Sequence, residues 1–234
     1  MEPKQDLFDY DSLAFFGSVN ASISHELKNI MAIISETAGL LGDLSEMAKG
    51  GTSIDPDMLT SSTDSIIEEI QRGFVTIRQM NRFSHSVDTP VASIDLMEIL
   101  DLVRNLSKYL SFAGEMNVHP GDGNVPIVHT SPFILQAIIY QAVVLVFRDA
   151  GPGAELDLSV EHLDDSAWRI LFEGFSIKGF ESFHDDRIKH MATLIGVSIH
   201  WDHAGDRLEI DVPVSLEDLA SRQGLPEMPA QGNR

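Results

Sequence analysis

The chain has 234 residues, 43% hydrophobic and 22% charged, which excludes wholesale disorder and leaves room for two modest domains with separate cores. With 16 Lys and Arg against 36 Asp and Glu, its formal charge of -20 repels phosphate backbones and anionic lipid, so neither nucleic acid nor membrane is an expected partner. The lack of cysteine removes disulfide frameworks and thiolate metal sites and suits a cytoplasmic protein.

A first helix is expected from about Asp9 or Asp11, either of which can cap it, to about Ala48. Phe16, Val19, Ile23, Leu27, Ile30, Ile34, Leu41 and Leu44 fall at three- and four-residue steps and form one apolar stripe along it. Gly50-Gly51-Thr52-Ser53 breaks this helix, and Asp55-Pro56 reads as an N-cap with proline at the first position of a second. Its stripe is Leu59, Ile66, Ile70, Phe74, Ile77, Met80 and Phe83. Two helices with a short link make an antiparallel hairpin, which has too little surface of its own to bury both stripes. Pairing with a second copy into a four-helix bundle would bury them, so a homodimer is expected.

Asp88-Thr89-Pro90 ends the hairpin and opens a stretch of different texture. Expected there are a strand at Ala92 to Asp95, a helix from Leu96 to about Phe112, a loop through Pro120-Gly121-Asp122-Gly123, and an apolar helix from Pro132 to about Asp149. Strands near Glu155 to Glu161 and Trp168 to Glu173 flank an Asp164-Asp165 turn. A helix near Asp185 to Ile195 precedes two strands, Ser198 to Trp201 and Arg207 to Val212, joined through Ala204-Gly205-Asp206. The fold class is α+β: a helical hairpin over residues 1–88, a two-layer sandwich of helices and mainly antiparallel strands over 89–214, and a tail over 215–234. The longest apolar run, Phe133 to Phe147, is interrupted by Gln136 and Gln141 and is read as too short to span a bilayer. Met1-Glu2-Pro3-Lys4-Gln5-Asp6 lacks the regions of a signal peptide, so a soluble protein without a membrane sensor is expected.

His25 lies off the first stripe, two residues from both Ile23 and Leu27, so it projects roughly 200° from each. Its own face carries Ala21, Ser22, Lys28 and Asn29. The string Ser24-His25-Glu26-Leu27-Lys28-Asn29-Ile30-Met31 resembles the H-box of sensor histidine kinases, with the Lys-Asn variant similar to the nitrogen-regulation type. The resemblance implies that the hairpin is a dimeric phosphoacceptor domain with His25 as the accepting residue.

The order of elements after the hairpin resembles the ATP-binding domain of the same kinases, and the likeness covers roughly Ala14 to Pro213. The helix Leu135-Gln136-Ala137-Ile138-Ile139-Tyr140-Gln141-Ala142-Val143-Val144-Leu145 is similar to the family's N-box helix, whose asparagines hold Mg-ATP phosphates. Tyr140 and Val144 stand where those asparagines are sought, and a valine offers no oxygen to a hard cation. In place of the adenine-recognising Asp-x-Gly-x-Gly, the chain reads Glu173-Gly174-Phe175-Ser176-Ile177. The ATP lid is cut down to a few residues around Gly179 to Ser182. A phosphoacceptor hairpin with a degenerate ATP-binding domain resembles the dimeric histidine phosphotransferases of bacterial phosphorelays.

That resemblance implies transfer to and from receiver-domain aspartates without ATP or any cofactor of the chain's own, Mg²⁺ being supplied by the receiver. It implies an upstream histidine kinase as a further partner. Glu26 would orient the imidazole, Lys28 offset phosphoryl charge, and Asn29 match the residue that positions a hydrolytic water in kinases with phosphatase activity. Asn20, Ala21 and Ser22 are small enough to admit a docking receiver. The alternatives are a receiver phosphatase or regulating scaffold, and an active soluble kinase. His184, Asp185, Asp186 and His190, and His200 with His203, lack further ligands at tetrahedral spacing and are read as solvated surface.

Overall fold

The computed structural model describes residues 3–108, 110, 114–119, 125–151, 153–175, 186–202 and 207–216. It is α+β, a helical hairpin followed by a sheet-containing domain, and divides into two compact units. One is Ala14–Ser84; the other comprises Met1–Leu13 and His85–Arg234.

Helix α1 spans Pro3–Lys49, starting a turn or more before either expected cap, because proline is tolerated in a helix's first turn. It ends in a Schellman arrangement: Gly51 takes φ +88°, its N–H donates to Ala48 O over 3.0 Å, and Thr52 N–H donates to Met47 O over 3.1 Å. Helix α2, Pro56–His85, is capped by Asp55, whose Oδ1 accepts from Asp57 N over 3.0 Å.

In the second unit, strand β1 (Ala92–Asp95) leads into helix α3 (Leu96–Ser107), where Asp95 caps by accepting from Met97 N over 2.8 Å. Strands β2 (Glu115–Val118) and β3 (Ile127–Thr130) precede helix α4 (Pro132–Ala150). Strands β4 (Glu155–Asp164) and β5 (Ala167–Glu173), helix α5 (Asp186–Leu194), and strands β6 (Ser198–Asp202) and β7 (Arg207–Pro213) follow. The turn expected at Ala204 to Asp206 and most of the expected tail lie outside the described residues.

The main sheet has the order β2-β4-β5-β7-β6, with β2 parallel to β4 and every other pair antiparallel; β1 and β3 form a separate antiparallel pair. Alternate residues, Leu156, Leu158, Val160, Ile170, Phe172, Leu208, Ile210 and Val212, are buried. On the opposite face Arg169 bridges Glu209 and Asp211 of β7 at 2.6 Å each. Helix α4 is buried nearly all round, which is why its sequence is almost continuously apolar. At 19 residues it is longer than the apolar run suggested, and by length and composition it is enough to cross a membrane; here it is the core helix of a sandwich.

Strands β2 and β3 were not foreseen. Each has four residues, too few for an alternation to register, and each pairs with a strand distant in sequence. Gly114 opens the way to the β2 pairing, since a Cβ there would stand 1.9 Å from Ala154 O. In contrast, a Cβ on Gly73 of α2 meets Ile30 Cγ2 at 3.7 Å, an ordinary contact. Gly114→Ala is therefore expected to destabilise by about 1–3 kcal/mol, whereas Gly73→Ala should stabilise by about 0.5–1 kcal/mol. Urea midpoints of the two variants on opposite sides of wild type would bear this out, and a shift in the same direction would refute it.

Candidate functional site

The hairpin's inner seam is built asymmetrically. Helix α1 buries large residues, Phe15, Val19, Ile23, Ile30 and Leu44, whereas the fully buried positions of α2 are Ser62, Gly73, Thr76 and Phe83. Phe83 packs against both Phe15, edge-on at 5.5 Å, and Phe16, stacked at 5.2 Å. Pairs 15/83 and 30/73 establish that the helices run antiparallel. The seam of α2 follows the spacing 62, 66, 69, 73, 76, 80, 83, a heptad row. Beside it runs a second row, Ile67, Ile70, Phe74 and Ile77, left 47%, 43%, 59% and 42% exposed. Of the stripe expected from sequence on α2, Phe83 alone is fully inside, because small residues rather than Ile70, Phe74 and Ile77 face α1.

His25 is exposed on α1, on the side away from the seam residues Ile23 and Ile30. Asn29 Nδ2 lies 3.3 Å from His25 Nδ1, so the structure brings these two predicted residues together. Lys28 is exposed one turn along from His25. Ser22 Oγ and Asn20 Nδ2 donate to carbonyls of their own helix, Ser18 O at 3.1 Å and Phe16 O at 3.0 Å, and Ala21 is exposed, which keeps the surface beside His25 low.

Glu26 points elsewhere. Its Oε1 accepts from Arg72 Nε of α2 at 2.9 Å and from Arg72 Nη2. Arg72 Nη1 in turn donates to both carboxylate oxygens of Glu69, at 3.0 and 3.1 Å. Both carboxylates are mostly covered, with side chains 14% and 16% exposed, while Arg72 is 45% exposed. Donating to the Glu26 carboxylate holds the guanidinium proton affinity above its ordinary value. Sequence reasoning missed Arg72 because its partner Glu26 is 46 residues away; the nearby signal was Glu69 and Arg72 at i,i+3 on a helix.

In the second unit, Tyr140 of α4 is buried, which raises its phenol pKa and keeps it neutral; Val144 is half-buried. Strand β5 ends at Glu173, which lies 3.6 Å from Arg207. Gly174 takes φ +86°, and a Cβ there would meet Asp157 Oδ2 at 3.1 Å and Glu155 O at 3.2 Å; Phe175 is buried against Trp201. Ser176, Ile177, Gly179 to Ser182, His184, Asp185 and His203 lie outside the described residues. His200 Nε2 is 3.7 Å from Asp211 Oδ2, and His190 sits on α5. Among the described residues no three His, Asp or Glu are grouped to hold a metal ion.

No family model matches the chain, and no curated protein does. Among solved structures it is similar to the Acinetobacter baumannii histidine kinase AdeS, at 12% identity and a TM-score of 0.43 over 81% of this chain and 98% of that one. It is similar to the mycobacterial sensor histidine kinase MprB at 15% identity and a TM-score of 0.42, over 52% and 96% of the two chains. A structure described as a bacterial phosphotransferase gives 12% identity and a TM-score of 0.47, over 84% and 94%.

The seam's dependence on Phe83 is open to measurement. Phe83→Ala removes a ring in contact with two others and should cost about 3–5 kcal/mol, read as a lowered unfolding midpoint; a loss below about 1 kcal/mol would mean that Phe83 does not close the hairpin.

Proposed function

We propose that this chain is a histidine phosphotransferase of a bacterial two-component phosphorelay, in which His25 takes a phosphoryl group from one receiver aspartate and passes it to another. The observation that carries the reading is an exposed imidazole within Ser24-His25-Glu26-Leu27-Lys28-Asn29, standing on low helix surface with Asn29 at its ring. The chemistry asks little of the protein beyond position and charge. A ring nitrogen attacks the phosphorus of the aspartyl phosphate in line. The P–O bond to the receiver breaks, the aspartate leaves as a carboxylate with the bonding pair, and an N–P bond forms. A second receiver's carboxylate reverses the step. Lys28 offsets charge on the phosphoryl group, and receivers dock over Asn20, Ala21 and Ser22 and supply the Mg²⁺.

The second unit is read as an ATP-binding fold that no longer binds nucleotide, so the phosphoryl group originates on a partner, ultimately an upstream histidine kinase. A buried phenol at Tyr140 and a valine at 144 support this reading, since neither position gives a hard cation the carboxamide oxygens it is sought to have there. The exposed row Ile67, Ile70, Phe74 and Ile77 supports a homodimer that closes a four-helix bundle. A cytoplasmic location follows from partners of this kind.

One observation favours a second reading. The Asn29 amide, 3.3 Å from the His25 ring, supports a receiver phosphatase in which Asn29 positions a water and the second unit serves as a docking plate.

Three measurements separate these readings. With a phosphorylated receiver and a second, unphosphorylated one, wild type should move label between them and His25→Gln should abolish the transfer; transfer that survives the substitution sinks the relay. Calorimetry with Mg-ATP should give no heat of binding, and label on His25 from ATP alone would make the chain a kinase. Asn29→Ala should leave transfer within about threefold, an effect under 1 kcal/mol, whereas a phosphatase would lose its activity selectively.

A further inference from the structure

Arg72 suggests how the same histidine is held in check, an inference that rests on the proposed relay. We propose that Arg72 is a positioning residue: by clamping Glu26 it decides which nitrogen of the His25 ring carries the proton, and it keeps the ring unreactive until the acidic, phosphorylated pocket of a receiver competes for the guanidinium.

The contact with Asn29 sets one tautomer apart. With the Asn29 amide nitrogen facing His25 Nδ1 across 3.3 Å, the contact is a hydrogen bond when Nδ1 accepts. The neutral ring then carries its proton on Nε2. Neither nitrogen offers a free lone pair, since Nδ1 is occupied by the amide and Nε2 is protonated. Nε2 is the ring atom farthest from the backbone and the one a docked acyl phosphate meets. Attack by Nε2 requires the proton on Nδ1, and a proton there needs an acceptor in place of the amide donor.

Glu26, the next residue in the chain, is the carboxylate to supply that acceptor, and it is occupied. Its Oε1 takes Arg72 Nε at 2.9 Å and Nη2 as well, while Glu69 takes Nη1 with both oxygens. Two largely covered carboxylates thus share one guanidinium that is itself 45% exposed. A planar fork of donors matches phosphate and carboxylate alike, so the charged pocket of a docking receiver is a direct competitor for it. When Arg72 turns outward, Glu26 is released to accept from Nδ1–H and Asn29 gives way. Nε2 then attacks with its lone pair, the receiver aspartate departs with the P–O electrons, and the proton of the resulting phosphoimidazolium passes from Nδ1 to Glu26. Glu69 keeps part of the vacated charge neutral by remaining within reach of the arginine.

The test needs no partner protein. The tautomer of His25 is read from ¹⁵N shifts in the full chain, and reactivity from the rate at which acetyl phosphate labels His25. In Arg72→Ala the proton should move toward Nδ1 and labelling should speed up by about tenfold to a hundredfold, at or below the lower end of what a positioned proton acceptor contributes. Adding Glu26→Gln should cancel the gain. Arg72→Lys, which keeps the charge without the fork, should fall between wild type and Arg72→Ala and guards against a fold defect in the alanine variant. An unchanged tautomer and rate in both Arg72 variants, or a slower reaction, would reduce Arg72 to a pin between helices and overturn the proposal. A tautomer shift with no label on His25 in any variant would support the clamp while removing the relay.

Discussion

A hairpin of two helices has a single inner seam, and in this chain α1 fills it. Phe15, Val19, Ile23, Ile30 and Leu44 enter from one side, and α2 answers with Ser62, Gly73 and Thr76 before Phe83 closes the end. Small residues let the two backbones approach where large ones enter, but they also turn α2's large apolar side chains elsewhere. Ile67, Ile70, Phe74 and Ile77 therefore make a second row, and that row is what the proposed partner copy would cover. The same asymmetry sets where the candidate site residues stand. With the seam of α1 committed to packing, His25 is left on the outer face, and Glu26, one position on and about 100° round the helix, is turned toward α2 and Arg72.

The second unit is held by a different means. Helix α4 is buried on nearly all sides, with Leu135, Ile138, Ile139, Ala142, Val143 and Val146 almost wholly inside. The outer face of the sheet is tied by Arg169 to Glu209 and Asp211 across paired strands. At 140 and 144 the chain carries residues that suit a core helix, so the fold can persist whether or not phosphate is ever bound there, and the likeness of fold is separate from any likeness of activity.

Much of the fold was legible because its signals are local. The helical stripes repeat every three or four residues, and the Gly50-Gly51 stop, the Asp55-Pro56 start and the β4, β5, β6 and β7 patterns are each set by neighbouring residues. What escaped was long-range. Strand β2 is short and earns its place by pairing with β4 forty residues on, and nothing near Glu115–Val118 announces that. On α2, periodicity marked Ile70, Phe74 and Ile77 as a face but gave no means of telling the hairpin seam from an outer surface. At the site, the approach of Asn29 to His25 followed from an i,i+4 step, whereas the Glu26–Arg72 pair depends on the register of two helices and was out of reach.

The electrostatics of the proposed transfer have to be local as well. A chain with a net charge of -20 repels an acidic partner at long range, yet at physiological salt exposed charges more than about 8 Å apart are largely screened. What an approaching acyl phosphate meets at contact is Lys28 beside His25, with Arg72 reachable on the neighbouring helix. Lys28 is a mobile point charge on a flexible stem, suited to following a phosphoryl group. Arg72 is a rigid fork already satisfied by two carboxylates, and an anion that recruits it must offer as much as Glu26 gives up. On this reading the acidity of the surroundings raises selectivity: weak or misplaced anions gain nothing from the arginine, and a partner that presents several negative oxygens in one pocket does.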